Sequence, residues 1–354
     1  MYWYYVIFVA ALSGVPICLI DDMLLRRQCQ KYYCIALVTF LILFAGLRSS
    51  NVDRDYTNYL ELFNGIAVGE LSIRNWFKDP AFVIISYVLA GLGCGYVGVT
   101  VIFAIISVNA KLYFSKLVSG GRWLTLFFYL VLCRSFIRHE MTQTRAGVAI
   151  AFMSISIYLA SKGKKRESVF LYFLAVIFHI SALLGLPVWV LTLRGFKVRS
   201  RLWLALLVPL ALVLKFALRN ILQLLADFSR ISPYVNGGYN TEKVKVFTAY
   251  FVIRIAALLF VVIVYWGRLS AEQRLATLCS SIGIFFLVAL SANDALALRC
   301  ADVFGLFELV VFIIPIQFIK GHLRLIYAVF IVLLGIGFFE ASLDLIGPYQ
   351  WIFS

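Results

Sequence analysis

Arg145 opens the run Arg145-Ala-Gly-Val-Ala-Ile-Ala151, which places its guanidinium about one turn inside an apolar helix. A fixed charge at that depth is costly, by default marks a site, and asks for an anionic partner. It belongs to a cluster with Arg134, Arg138, His139, Glu140 and Gln143 between two apolar stretches, with His179 ending a later half-helix. A second cluster, Arg48, Asp53, Arg54, Asp55 and Tyr56, follows the second apolar stretch. A third, Asn293, Asp294, Arg299 and Asp302, lies between two more. Guanidinium forks bind phosphate oxygens in pairs and keep their proton. Carboxylates and a histidine beside them can take a proton from a sugar hydroxyl. Arginines for a departing pyrophosphate plus a base for the acceptor form a minimal glycosyl-transfer set, in which stabilising the leaving charge supplies most of the acceleration. The plainer reading of Arg138 and Glu140 is that they snorkel to a membrane interface, and of His179 that it is a satisfied structural residue.

The elements that must position these residues are membrane helices. The 354 residues are 63% hydrophobic and only 14% charged, against about half and a quarter in a soluble domain. That balance excludes a soluble enzyme, a disordered chain and a secreted disulfide scaffold. Apolar runs long enough to span are expected at 2–20, 32–46, 123–136, 142–160, 201–218, 247–267, 275–292, 301–319 and 323–339. Two stretches stay open: 81–117, interrupted by Gly91, Gly93, Gly95 and Gly98, and 168–193, which carries His179 and Pro187 and reads as one long helix or two short ones folded back. The total is about 11 to 12 passes of a single all-α membrane domain covering 1–354. The first span lacks the basic start and cleavage site of a signal peptide and is read as a true helix.

Net charge is +15, which the positive-inside rule explains without nucleic acid. With loops 21–31, 111–122, 161–168, 194–201, 268–274 and 320–324 in the cytoplasm, eighteen of the 32 Lys and Arg fall in short basic loops, Lys162-Gly-Lys-Lys-Arg166 being the strongest marker. Both termini and all three chemical clusters then lie outside, on the periplasmic face of a bacterial inner membrane. The long outer loops, 47–79 and 219–246, each contain an amphipathic run (Leu60, Phe63, Ile66, Trp76 and Phe77; Ile221, Leu222, Leu225 and Phe228) that suits either the lipid interface or a plain surface helix.

Other motifs carry no chemistry. Gly93-Cys-Gly-Tyr-Val-Gly98 matches a dinucleotide fingerprint by letter but lacks its strand and later acid; a helix break or close helix packing explains its glycines. The seven cysteines have no paired spacing, three histidines are too few for a His-rich metal site, and no Walker loop is present.

At these clusters the chain resembles EpsG-like membrane proteins, a group similar to the Wzy-type polymerases of O-antigen and exopolysaccharide. The residues that carry the resemblance are Gly46-Leu-Arg48, Asp55-Tyr-Thr-Asn-Tyr59 with Phe63, Asp79-Pro-Ala-Phe82, Arg145–Ala151 with Tyr158-Leu, Phe178-His-Ile-Ser-Ala182 with Pro187, Arg299, Pro315 and Pro348-Tyr-Gln-Trp-Ile-Phe353. Two departures stand out: the family's Arg-Gln pair reads Arg145-Ala146, and its Glu-Pro-Gly reads Asp79-Pro-Ala. The resemblance implies a polytopic glycosyltransferase of the GT-C type working on the periplasmic face. It would transfer a growing glycan from undecaprenyl pyrophosphate to the next lipid-linked repeat, without nucleotide sugar, cofactor or metal, with a chain-length regulator as an expected partner. Carried over residue by residue, Arg48, Arg145 and Arg299 become pyrophosphate holders, and Asp55 and His179 base or orienting residues. Arg138 (pyrophosphate) and Glu140 (base) are added from their nearness to Arg145. Two other classes fit a polytopic protein with these clusters: a flippase of the same lipid-linked sugar, which would show internal repeats that the chain lacks, and a membrane acyltransferase, which would place its histidines on the cytoplasmic side or mid-membrane.

Overall fold

Helix α2, Met23–Gly46, begins where Asp22 accepts the Leu25 amide at 2.8 Å, and it continues to Gly46, whose missing side chain admits Val101 of a neighbouring helix. The computed structural model describes residues 1–53, 55–70, 79–224, 248–291 and 293–353, with the side chains at 205, 208 and 218–224 left aside. Arg54, Trp76, Phe77, Leu225, Phe228 and most of the 219–246 loop lie outside the described residues.

The described helices are α1 (Tyr2–Leu12), α2, α3 (Tyr56–Ala67), α4 (Pro80–Gly91), α5 (Tyr96–Val118), α6 (Leu124–Ser135), α7 (Thr144–Ser161), α8 (Lys165–Phe178), α9 (Leu186–Leu193), α10 (Leu202–Leu224), α11 (Ala249–Phe260), α12 (Ala271–Ala289), α13 (Asp294–Asp302), α14 (Gly305–Phe318) and α15 (His322–Leu343). Between α6 and α7 runs a π-helical turn, Phe136–Thr142. The only β pairing among the described residues is one antiparallel bridge, Arg48 to Trp351. Among the described residues seven helical stretches are long and apolar enough to cross a membrane: Tyr2–Leu19, Met23–Gly46, Tyr96–Val118, Thr144–Ser161, Ala249–Arg268, Ala271–Ala289 and His322–Leu343. Shorter apolar helices include Pro80–Gly91, Ile180–Leu193 and Gly305–Phe318. The protein is a polytopic helical membrane bundle, as its composition requires.

Packing divides the chain into two compact units. The first is Met1–Ser156, Val169–Leu183 and Ile319–Ser354; the second is Ile157–Ser168 and Leu184–Phe318. Each has a short apolar helix at its centre. In the first unit every residue of α6 except Arg134 is buried, with α5 and α15 against it. In the second, α14 is buried from Gly305 to Ile316 and packs on α12, as do α10 and α13. Outward faces are apolar: Leu323, Ile326 and Leu333 on α15, and Leu206, Leu210 and Val213 on α10, are exposed. In water such patches would drive association; acyl chains cover them without cost.

The two open stretches resolve into broken helices. The 81–117 run ends α4 at Gly91, turns through Gly93 at φ +73°, and restarts α5 at Tyr96. Nothing approaches a Cβ built at Gly91, Gly93 or Gly95, so these glycines serve a break rather than close packing. The 168–193 run becomes α8, a 3-10 turn Ile180–Gly185 and α9. Tyr172 donates to the carbonyl of Ala182 at 2.7 Å, so the chain folds back there, since ten helical residues would separate them by about 15 Å.

Two loop assignments are corrected. Residues 111–118 are helix, the last turns of α5, as the 81–117 stretch has it and the 111–122 loop does not, and Lys111 is 1% exposed, held inside the protein by an ion pair. Residues 219–224 continue α10 rather than open the outer loop, because the apolar run Ile221-Leu222 keeps helical spacing. Helix α3 is the plain surface helix of the two readings offered for its run: Thr57, Asn58, Glu61 and Asn64 are exposed, while Tyr56, Tyr59, Phe63 and Ile66 are buried against protein, chiefly α4 and Tyr96.

Candidate functional site

Asp79 precedes Pro80, the first residue of α4, and Arg145 is the second residue of α7. Pro fits that opening because its missing N–H would have no helical partner. The two side chains meet: Arg145 Nη1 donates to Asp79 Oδ2, with both mostly buried. The guanidinium lies 4.4 Å from the Tyr59 ring centroid and 5.5 Å from that of Phe82, a cation–π seat that fixes its plane. Its Nε is buried and has no hydrogen-bond partner among the described residues. Burial pushes the Tyr59 phenol up, Arg145 opposing, so this ring stays neutral beneath the cation. Phe82, Phe103 and Phe178 continue the aromatic floor at centroid spacings of 6.0 and 5.5 Å, leading to His179. There the His179 Nδ1 accepts the Ser181 amide at 3.2 Å, which makes this histidine the cap of the helix break.

The π turn holds the second charged group. Segments of this kind are rare and recur at functional sites. Glu140 Oε1 accepts from Lys111 Nζ at 2.5 Å and from Ser107 Oγ at 2.6 Å, and Lys111 Nζ is also 3.1 Å from His139 Nδ1. Glu140 and His139 are 2% and 3% exposed, which corrects the reading of Glu140 as a residue that snorkels to the interface: its counter-ion is within the protein. At Gln143 the helix breaks and α7 folds back. A Cβ on Gly147 would stand 2.6 Å from the Cβ of His139, though eight residues of continuous helix would hold them about 12 Å apart. Arg138 is half-buried on this turn, and its carbonyl accepts from the Thr142 hydroxyl and the Gln143 amide.

Arg48 sits elsewhere in the first unit, under the C-terminal segment. It is 1% exposed, donates to the Ala45 carbonyl at 2.5 Å and pairs with Asp53 at 3.4 Å. Backbone bonds tie the segment down over it: Ser49 N–H to Gln350 O, Ile352 N–H to Leu47 O and Gly347 N–H to Val52 O. The Tyr349 hydroxyl reaches the Phe44 carbonyl at 2.8 Å, its ring stacked on Phe44 at 3.8 Å. Asp55 stands just before α3, at its N-cap position, and is half-buried; its amide donates to Asp53 Oδ1.

In the second unit Asn293 caps α13 by accepting the Leu296 amide at 3.0 Å, Asp302 is buried, and Arg299 is exposed. The unit's buried ion pair is formed by other residues. Arg254 of α11 pairs with Glu308 of α14 at 2.6 Å, both under 5% exposed, and Tyr250 donates to the same carboxylate. Gly283 of α12 gives them room, since its Cβ would meet Arg254 Nη2 at 3.6 Å and the Ala301 carbonyl at 3.3 Å.

Sequence reasoning therefore brings Arg138, Glu140 and Arg145 onto one stretch of chain but misses their partners. Asp79 was visible only as a motif letter, Tyr59 likewise, and Lys111 was counted as a loop charge. Arg254 and Glu308 had a signal, a lone charge inside an apolar run, which the search between spans passed over. Among the described residues no three His, Cys, Asp or Glu gather as metal ligands.

No curated protein and no solved structure matches the chain. The family model named EpsG matches residues 31–351, a reach that takes in Arg48, Asp55, Asp79, Lys111, the π turn, Arg145, His179 and Arg299. The chain belongs to the EpsG family, a family of polysaccharide polymerase-like membrane proteins.

Proposed function

We propose that the protein polymerises lipid-linked oligosaccharide repeat units, as a glycosyltransferase of the O-antigen or exopolysaccharide polymerase type in a bacterial inner membrane. The growing glycan leaves undecaprenyl pyrophosphate and joins the next lipid-linked repeat on the periplasmic side. Family membership supports a role in polysaccharide assembly. The single observation that carries the step from family to chemistry is Arg145, a guanidinium seated on Tyr59 and paired with one carboxylate, with a side chain 14% exposed where those of Arg48 and Arg254 are sealed in.

In this reading Arg145 exchanges Asp79 for the pyrophosphate, whose charge rises as the glycosidic carbon departs, and Arg138 assists from the turn. A donor already fixed in a dry, oriented seat stabilises that charge without reorganising. Glu140 accepts the proton of the acceptor hydroxyl. Asp55 and His179 orient the two substrates, and Arg299 of the second unit meets a lipid pyrophosphate from its own helix. Arg48 holds the turn beneath the C-terminal segment, its guanidinium on the Ala45 carbonyl and Asp53. The energy of the leaving pyrophosphate replaces a nucleotide sugar.

The test is a glycan ladder made by purified protein in nanodiscs from the host's lipid-linked repeat, with nucleotide sugars absent and a chelator present. Ladder formation by the wild type supports the reading. Verified substrate that remains unelongated, or is moved across the bilayer without elongation, overturns it in favour of transport.

A further inference from the structure

Lys111 is the charge that composition assigns to a loop and the structure places in the core. It stands seven residues from the end of α5, about 10 Å along the axis, and about 22 Å from the start. Helical side chains lean toward the N-terminus, so its ammonium is carried toward the middle of the helix, away from the water that a lysine near a helix end would reach. There it finds Glu140 Oε1 at 2.5 Å and His139 Nδ1 at 3.1 Å, with the Ser107 hydroxyl 2.6 Å from the same carboxylate oxygen. An ammonium only donates, so Nδ1 accepts and a neutral His139 ring carries its proton on the other nitrogen. Two donors thus fill Oε1. The other oxygen, Oε2, is buried and has no hydrogen-bond partner among the described residues. A bare buried carboxylate oxygen is expensive, and Glu140 lies on the turn that also bears Arg138 and leads into Arg145.

We infer that Lys111 is a positioning residue for the transfer reaction, gripping Glu140 by one oxygen so that the other faces the acceptor sugar's hydroxyl. The inference rests on the polymerase reading and deepens it. The acceptor O–H bond breaks and its proton goes to Glu140 Oε2. The oxygen's electron pair forms the new bond to the anomeric carbon. The bond from that carbon to the pyrophosphate oxygen breaks, and its electron pair leaves with the pyrophosphate. Water later takes the proton back. With Lys111 in place the carboxylate has one orientation and one vacant acceptor; without it either oxygen can turn to Ser107 and the proton acceptor is no longer fixed.

Lys111→Met, Lys111→Arg, Glu140→Gln and the double variant Lys111→Met/Glu140→Gln test this, each measured for kcat and KM on the lipid-linked repeat and for melting temperature. Misplacing a general base costs about 10²- to 10⁴-fold. The expected result is a kcat loss in that range for Lys111→Met with KM within about threefold, partial recovery in Lys111→Arg, and a double variant no slower than Glu140→Gln, as for residues acting as one unit. A merely structural lysine would lower the melting temperature and multiply with Glu140→Gln. If Lys111→Met fails to fold, the comparison of Glu140→Gln with the double variant decides alone, because the double leaves no uncompensated buried charge. Turnover in Lys111→Met within threefold of wild type, or a further tenfold loss in the double, overturns the inference while the polymerase reading stands. A wild type that makes no ladder overturns both.

Discussion

Two buried ion pairs of similar geometry allow one perturbation to separate holding the fold from doing chemistry. Arg145→Met leaves the Asp79 carboxylate, 5% exposed, without its guanidinium. Stranding one buried partner costs about 3–5 kcal/mol, and losing the cation–π seat over Tyr59 at 4.4 Å adds about 1–2 kcal/mol. Neutralising the partner as well, in Arg145→Met/Asp79→Asn, removes the stranded charge and should leave only the second loss. The same logic applies to Arg254→Met and Arg254→Met/Glu308→Gln, where the amide keeps an acceptor for Tyr250. Unfolding in detergent, followed by tryptophan fluorescence, should show large losses in both single variants and recovery of most of the loss in both doubles. Glycan elongation should then distinguish them: restored with stability in the Arg254 double, absent in the Arg145 double. A ladder from the Arg145 double would refute the role given to that arginine, and an unperturbed melting curve for Arg145→Met would refute the pairing itself.

Two further outcomes follow from the same geometry. Gly147→Ala should destabilise by about 1–3 kcal/mol, the usual cost of overpacking, because the added methyl meets His139 at 2.6 Å; an unchanged melting temperature would contradict the close approach of α7 to the π turn. Burial, offset in part by Arg48, pushes the Asp53 carboxyl up from 3.8 to about 6. An acid raised on folding contributes stability that is complete below about 3.8 and lost as pH climbs through 6, about 3 kcal/mol at 1.36 per unit. The stability of wild type relative to Asp53→Asn should therefore fall between about pH 4 and 6.5 and level off above 7, and a difference that stays flat with pH would contradict the burial of that pair.

How much of this was legible depended on range. Helix content, the break at Gly93 and the fold-back after His179 are local, written in hydropathy and in glycine, proline and polar punctuation. Arg145 inside a helix was legible because one charge against an apolar run is a local contrast. Its partner was not, since Asp79 is 66 residues away and only packing of α3, α4 and α7 in the first unit brings them together. Lys111 shows the opposite failure: a lysine near the end of an apolar stretch reads as a loop charge, whereas a carboxylate 29 residues later holds it buried in a helix that runs to Val118. The burial of Arg48 needed the C-terminal segment, 299 or more residues further along, to close over it.

The central claim is that Arg145 holds the pyrophosphate of a lipid-linked glycan while the chain is transferred. The most direct measurement is a single turnover of the host's lipid-linked repeat by wild type and by the Arg145→Met/Asp79→Asn protein, both verified as folded, with release of lipid pyrophosphate and growth of glycan followed together. The account predicts one pyrophosphate released per linkage in the wild type and neither product from the double variant. Elongation at the wild-type rate by the double variant, or elongation without pyrophosphate release, would contradict it.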